Sequence, residues 1–252
     1  MTIRNIIKLL LNKPIPGKYA KIRKDDIFLV SFPKSGNTWL RFLIANYLYD
    51  NVDFNNINNL IPDIHISNNK HLNRIKKQRF IKSHFTFNSN YPRIIYIKRN
   101  IKDVLVSYFY WRKKRNPDTI SNLDSFFNSF VNHGGGPYGT WVNHINDWSN
   151  RGKQDNILIL NYEELKNNTY LEMMKVLKFC NLPLDKEKLL LAIKKSDIKA
   201  MSKLESKQRD SEFFKSYKNK DINFIRKNDD DRIENLNTKQ LQILEQLSNQ
   251  IL

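Results

Sequence analysis

The sequence predicts a single α/β domain built on a central parallel β-sheet flanked by helices. Three observations predict it. Short β-branched or aromatic runs at 27–32, 79–82, 93–98 and 156–160 have strand length, and longer segments of helical period lie between most of them; such alternation puts parallel strands under covering helices. Residues 27–44 read as strand, tight loop and helix, in the order of a phosphate-binding α/β unit. Finally, 252 residues that are 40% hydrophobic and 12% aromatic can bury one sizeable core, which excludes a disordered or linker-dominated chain.

Taken in order, the first strand (27–32) runs through a Pro-Lys-Ser-Gly turn into a helix at 37–49. An Asn-rich stretch from 51 to 73 reads as a long polar connection. Strands at 79–82 and 93–98 precede helices at 102–114 and 138–150. The strand at 156–160 is followed by helices at 168–180, 185–195 and 238–251. The last of these carries Leu241, Leu244, Leu247 and Leu252 near helical spacing, the pattern of core packing.

The formal charge is +18, and its position says more than its size. Residues 1–24 hold seven basic side chains and no acid; residues 76–115 hold twelve against the single acid Asp103. These two blocks account for the whole excess, so they point to localised anionic partners. No helix-turn-helix, zinc-finger or RNA-binding aromatic signature accompanies them, and a nucleic-acid partner is not expected. Cys180 is the only cysteine, which excludes an intramolecular disulfide and any multi-cysteine metal site. The apolar run at 6–11 is broken by Lys8 and is too short for a membrane span or a secretory signal, so a cytoplasmic protein is expected.

The turn at 33–38 is the most informative stretch. Loop amides entering a helix N-terminus converge on an anion, Lys34 adds a full charge, and Ser35 and Thr38 add hydroxyl donors. It is not a Walker A loop, because the lysine precedes the glycine. The strands at 93–98 and 156–160 end in Arg99-Asn100 and Asn161-Tyr162. Neither end supplies the acid that would hold magnesium beside ATP, so a metal-free anionic cofactor is expected.

With these residues in view, the chain resembles the sulfotransferases that use 3′-phosphoadenosine 5′-phosphosulfate (PAPS), most closely the cytosolic branch. Phe32-Pro33-Lys34-Ser35-Gly36-Asn37-Thr38-Trp39-Leu40 is similar to the family's 5′-phosphosulfate loop, with Asn37 where Thr is commoner. The resemblance implies that Lys34, Ser35, Gly36, Asn37 and Thr38 cradle the phosphosulfate while Trp39 lies against adenine. The stretch 95–108 resembles the 3′-phosphate motif, implying contacts from Arg99 and Ser107. Tyr162 and the Ser196–Ile198 stretch would complete the nucleoside site, and Phe224, Arg226 and Lys227 resemble the late 3′-phosphate segment. There Asn228 replaces the usual Gly, a substitution compatible with left-handed backbone.

Lys82-Ser83-His84 resembles the segment carrying the family's general base, and the stretch from Tyr138 to Trp141 with His144 resembles the acceptor border. The expected reaction moves a sulfuryl group from PAPS to a hydroxyl of a small molecule or glycan, leaving 3′,5′-adenosine bisphosphate (PAP) and needing no metal. His84 would take the hydroxyl proton, Lys34 and Lys82 would stabilise the leaving phosphate, and Ser107 would restrain Lys34. Phe85, Tyr138 and His144 would border the acceptor. A P-loop kinase and a non-catalytic nucleotide-binding relative are the alternatives at this stage. Residues 1–24 read as a basic N-terminal segment and 25–252 as the sulfotransferase domain. Within the former, 1–13 has the pattern of a basic amphipathic helix, with Ile3, Ile6, Ile7 and Leu10 on one face, suited either to peripheral contact with an anionic membrane or to docking on the domain.

Overall fold

The computed structural model describes residues 21–120, 122–150, 156–226 and 236–251. Four strands, β1 (Ile27–Ser31), β2 (Phe80–Ser83), β3 (Arg93–Lys98) and β4 (Ile157–Asn161), form one sheet in the order β2-β1-β3-β4. Every neighbouring pair is parallel. β1 and β3 lie inside the sheet, and their apolar runs are buried on both faces, which is what covering helices require.

The helices in chain order are α1 (Asn37–Leu48), α2 (Ile57–Leu60), α3 (Asn69–Arg74), α4 (Ile101–Arg115), α5 (Leu123–His133), α6 (Trp141–Ser149), α7 (Tyr162–Asn167), α8 (Thr169–Phe179), α9 (Lys186–Lys195), α10 (Ile198–Lys207) and α11 (Thr238–Ser248). Two apolar clusters form the core, one on each face of the sheet. Phe28, Val30 and Tyr96 point into the cluster with Trp148 and Phe130; Leu29, Ile95 and Ile97 point into the one with Phe42 and Leu43. Alternation along β1 and β3 sends successive residues to opposite faces, so both layers are pinned to the same strands.

The expected strands and long helices are present with shifts of a few residues at their ends. The stretch 51–73 differs from its reading as a polar connection: it folds into α2, pairs beside β2 through Asp63 and then enters α3. Ile57, Ile61 and Ile64 are fully buried there, and Asn56 and Asn68 bond turn and cap amides. Asn density concealed this order because Asn serves caps and turns as readily as loops. At the sheet's amino end Arg79 donates through Nε and Nη2 to Asp26 at 2.6 and 2.5 Å, both side chains being fully buried. Arg79 also donates to the Lys21 carbonyl and Arg23 to the Ile75 carbonyl, which ties the described end of the basic segment to the domain.

Candidate active site

The carboxyl ends of all four strands reach one cavity of about 880 Å³. This is the edge at which open α/β sheets bind ligands. From β1 the chain turns through Pro33–Gly36 into α1. Lys34 takes φ 70° and Gly36 φ 100°. A side chain at 36 would be strained by that φ, and its Cβ would stand 2.4 Å from the Tyr162 ring, so only glycine fits. No side chain caps α1. Its first-turn amides therefore face the cavity mouth with the positive end of the helix dipole. The Ser35 hydroxyl is buried without a hydrogen-bond partner among the described residues, but Ser35 is not one of the residues that line the cavity.

Around this turn the cations converge. Lys34 Nζ lies 4.7 Å from the centre of the Phe224 ring and 5.9 Å from that of Trp111. Arg99 donates to the Lys34 carbonyl at 3.1 Å and stacks 4.2 Å from the Tyr162 ring. Arg226 donates to the Ser107 carbonyl at 3.4 Å and stacks over Tyr110. Burial, and then the charges of Arg226, Arg99 and Lys82, push Lys34 well below its ordinary pKa. A lysine depressed by three neighbouring cations marks a site built for a polyanion. Buried Glu205 holds the Arg226 segment in place by accepting the amides of Phe224 and Ile225 at 2.6 and 2.7 Å.

An aromatic end of the cavity lies beside the turn. Trp39 meets Tyr162 edge-on and donates from Nε1 to the Ser196 carbonyl at 2.9 Å. Ser196 accepts from Asn46 through its hydroxyl, and Ile198 lines the same space.

On the β2 side, His84 is held at three points. Its Nδ1 donates to the Ser31 carbonyl at 2.7 Å, its amide donates to His65 Nε2 at 2.8 Å, and its carbonyl accepts from His144 Nε2 at 3.2 Å. A ring whose Nδ1 carries the proton presents Nε2 as a bare acceptor. Burial first, then the charge of Lys82 and the ring of His65, hold His84 well below its ordinary pKa, so it is neutral. Lys82 reaches Asp63 at 2.6 Å. Burial alone would raise the Asp63 carboxyl, but Lys82, His65 and Arg41 outweigh it and hold the group below the usual carboxylate range.

Comparison with known proteins decides the family. The model of the Sulfotransferase domain matches residues 24–250. The chain belongs to the sulfotransferase-domain family. It is 36% identical to bovine (Bos taurus) Sulfotransferase 1E1 over 177 residues, covering 62% of this chain and 59% of that protein. It is 31% identical to mouse (Mus musculus) Sulfotransferase 1 family member D1 over 187 residues, covering 66% and 62%. The matched region thus spans about three-fifths of the length of these relatives. Among solved structures, mouse sulfotransferase SULT7A1 complexed with PAP superposes with a TM-score of 0.74 at 24% identity, over 98% of this chain and 90% of that one. Retinol dehydratase in a complex with retinol and PAP does so at 0.71 and 17%, over 91% and 81%.

In this sulfotransferase-family chain, Lys34, Gly36, Thr38, Trp39, Lys82, His84, Arg99, Ser107, Tyr138, Tyr162, Ile198, Phe224 and Arg226 share the one cavity. Asn37 reaches it too, but its amide is spent donating to the Leu29 carbonyl at 2.8 Å and to the Ser31 hydroxyl at 3.3 Å, bracing the loop from behind. His144 does not border the acceptor space. It is fully buried, accepts from the Tyr96 hydroxyl at Nδ1 and braces the His84 carbonyl, and burial pushes its pKa down to about 4. Phe85 stands behind the cavity wall, packed against His65 and Tyr138. Lys227, Asn228 and the segment 1–13 lie outside the described residues. Sequence reading missed Asp63, His65 and Glu205. The tripeptide pattern Asp-x-His, two titratable residues interleaved with isoleucines in an otherwise Asn-rich stretch, was the signal for the first two.

Proposed function

We propose that this protein transfers a sulfuryl group from PAPS to a hydroxyl of a small molecule or glycan, with His84 as general base. The observation that carries this reading is the pairing, at adjacent strand ends, of a cationic cradle with a neutral imidazole whose proton is committed to Nδ1. The residues present fit the donor: no described side chain caps α1, and Lys34, Arg99 and Arg226 line the same cavity.

Bound there, PAPS would supply an activated sulfuryl group. Lys34, the α1 amides and Thr38 hold the 5′-phosphosulfate, while Arg99, Ser107 and Arg226 hold the 3′-phosphate and Trp39 and Tyr162 flank the base. The hydroxyl proton passes to His84 Nε2, and Lys34 with Lys82 offsets the charge left on the 5′-phosphate oxygen. Tyr138 forms the acceptor wall, with Phe85 packed behind it. The mouse SULT7A1 structure is a complex with PAP and that of retinol dehydratase a complex with retinol and PAP, which supports the same donor and a hydroxylic acceptor here. The basic amphipathic pattern of residues 1–13 supports peripheral contact with an anionic membrane.

Calorimetric titration with PAP, Mg-ATP and AMP tests the reading. PAP alone binds tightly, and Lys34→Ala or Arg99→Ala weakens it by about 100-fold, the scale of a lost charge-assisted contact. A preference for Mg-ATP would replace the sulfotransferase reading with a kinase.

A further inference from the structure

The segment at 61–67 brings a second imidazole to the cavity. Its backbone pairs beside β2, with Lys82 N–H donating to the Pro62 carbonyl at 2.9 Å and Ile64 N–H to the Lys82 carbonyl at 3.0 Å. Buried Arg41, on α1, donates to the Ile57 and Ile61 carbonyls and fixes the segment from the other side. His65 is thereby held on a rigid support, partly exposed to the cavity. Its ring lies 5.7 Å from that of His84, nearly parallel at 13°, and 4.5 and 5.1 Å from Phe85 and Tyr138.

The bond that His65 already makes sets its polarity. Nε2 accepts the His84 amide at 2.8 Å, and only an unprotonated nitrogen accepts, so the neutral ring carries its proton on Nδ1. Nδ1 has no partner among the described residues. Burial lowers the pKa to about 4, with Asp63 opposing and Lys82 assisting, and the neutral tautomer persists at working pH. The two stacked rings therefore offer opposite groups to the cavity: a bare acceptor on His84 and an unmet N–H donor on His65.

We propose that His65 is an acceptor-binding residue, its Nδ1–H donating to a second oxygen of an acceptor whose reacting hydroxyl faces His84. The site then selects hydroxyl compounds that carry another oxygen beside the reacting one. An acceptor with a single oxygen would leave this donor unpaired in a desolvated site, which costs affinity. This inference rests on the donor reading above.

Phenol and catechol, titrated calorimetrically into the full chain saturated with PAP, test it. Catechol binds roughly five- to tenfold tighter than phenol, the worth of about one hydrogen bond. In His65→Phe that preference disappears because catechol weakens to the level of phenol, while phenol and PAP affinities hold. His65→Gln, which can both accept the His84 amide and donate, keeps part of the preference. Equal affinities in the wild-type protein, or an equal loss for both compounds in His65→Phe, would overturn the proposal and leave His65 as a brace for His84. Failure of PAP to bind the wild-type protein is seen before any acceptor is added, and it would remove the donor reading and this inference together.

Discussion

The two halves of the cavity are built on opposite principles. Around Lys34 cations predominate: burial and the charges of Arg226, Arg99 and Lys82 depress its pKa, with Glu205 opposing the shift and Asp103 standing 3.8 Å from Arg99. Around His84 nearly every polar group is already paired: its amide, its carbonyl and Nδ1 are each engaged, and Lys82 is matched by Asp63. The first half is incomplete until an anion arrives, whereas the second is set before anything binds. Binding energy belongs to one side and preorganisation to the other, a division that lets donor affinity and proton transfer be altered separately.

The largest expected effect separates the halves outright. His84→Ala lowers turnover by about 10²–10⁴-fold, the usual worth of a general base, while PAP affinity stays unchanged in calorimetry. Turnover at wild-type rate would end the base assignment. A related pH profile sharpens the same point: His84 sits well below its ordinary 6.5, so protonation removes the base only in more acidic solution. The acid limb of kcat therefore falls below that value, and a limb centred on 6.5 would show that the ring is not desolvated as described.

On the cationic side, proton uptake is the diagnostic. Lys34 is depressed in the folded protein and has its ordinary value of 10.5 when unfolded. The unfolded chain thus binds more protons in the window between these values, and the contribution of Lys34 to stability rises with pH across it. An anion reverses the depression, so PAP binding takes up protons on the alkaline side of neutrality, measurable as a dependence of binding heat on buffer ionisation enthalpy. Proton release would contradict the cradle as described.

The smallest effect comes from moving a charge across the boundary. Asp63→Asn frees Lys82 from its partner, and PAP affinity rises about three- to fivefold, or ~1 kcal/mol. Because Asp63 is held below the usual carboxylate range, its stabilising contribution is present above that range and lost as pH falls through it. The Tm difference between the variant and the wild-type protein accordingly closes in acid, and unchanged PAP affinity would show that Lys82 takes no part in the cradle.

The same division explains what could be read from the sequence. The strands, α1 and the turn between them are local: Ile27–Ser31 is an apolar run, and Pro33, Lys34 and Gly36 follow within five residues. The cavity residues of that turn, together with Arg99 at the end of β3, were therefore legible. The supports were not. Glu205 sits in α10 between lysines and a serine, and nothing in its neighbours tells that its carboxylate is buried against amides 19 and 20 residues away. Asp63 and His65 were hidden for the same reason, since their partners Lys82 and His84 lie on another element. The resemblance of the stretch that begins at Tyr138 puts His144 at the acceptor border, but helix α6 turns it inward, where Tyr96 and the His84 carbonyl receive it.

The Nδ1 bond of His84 ends on a backbone carbonyl, that of Ser31. Every amino acid carries that carbonyl, so no point substitution at position 31 deletes the group that fixes the tautomer. The His84 tautomer is thus buffered against mutation at its partner in a way that a carboxylate partner would not provide. The Ser31 side chain carries a separate duty, its fully buried hydroxyl accepting from Asn37 at 3.3 Å, so a substitution at 31 loosens the brace behind the loop while the carbonyl that fixes the tautomer stays in place, provided that the strand keeps its register between β2 and β3.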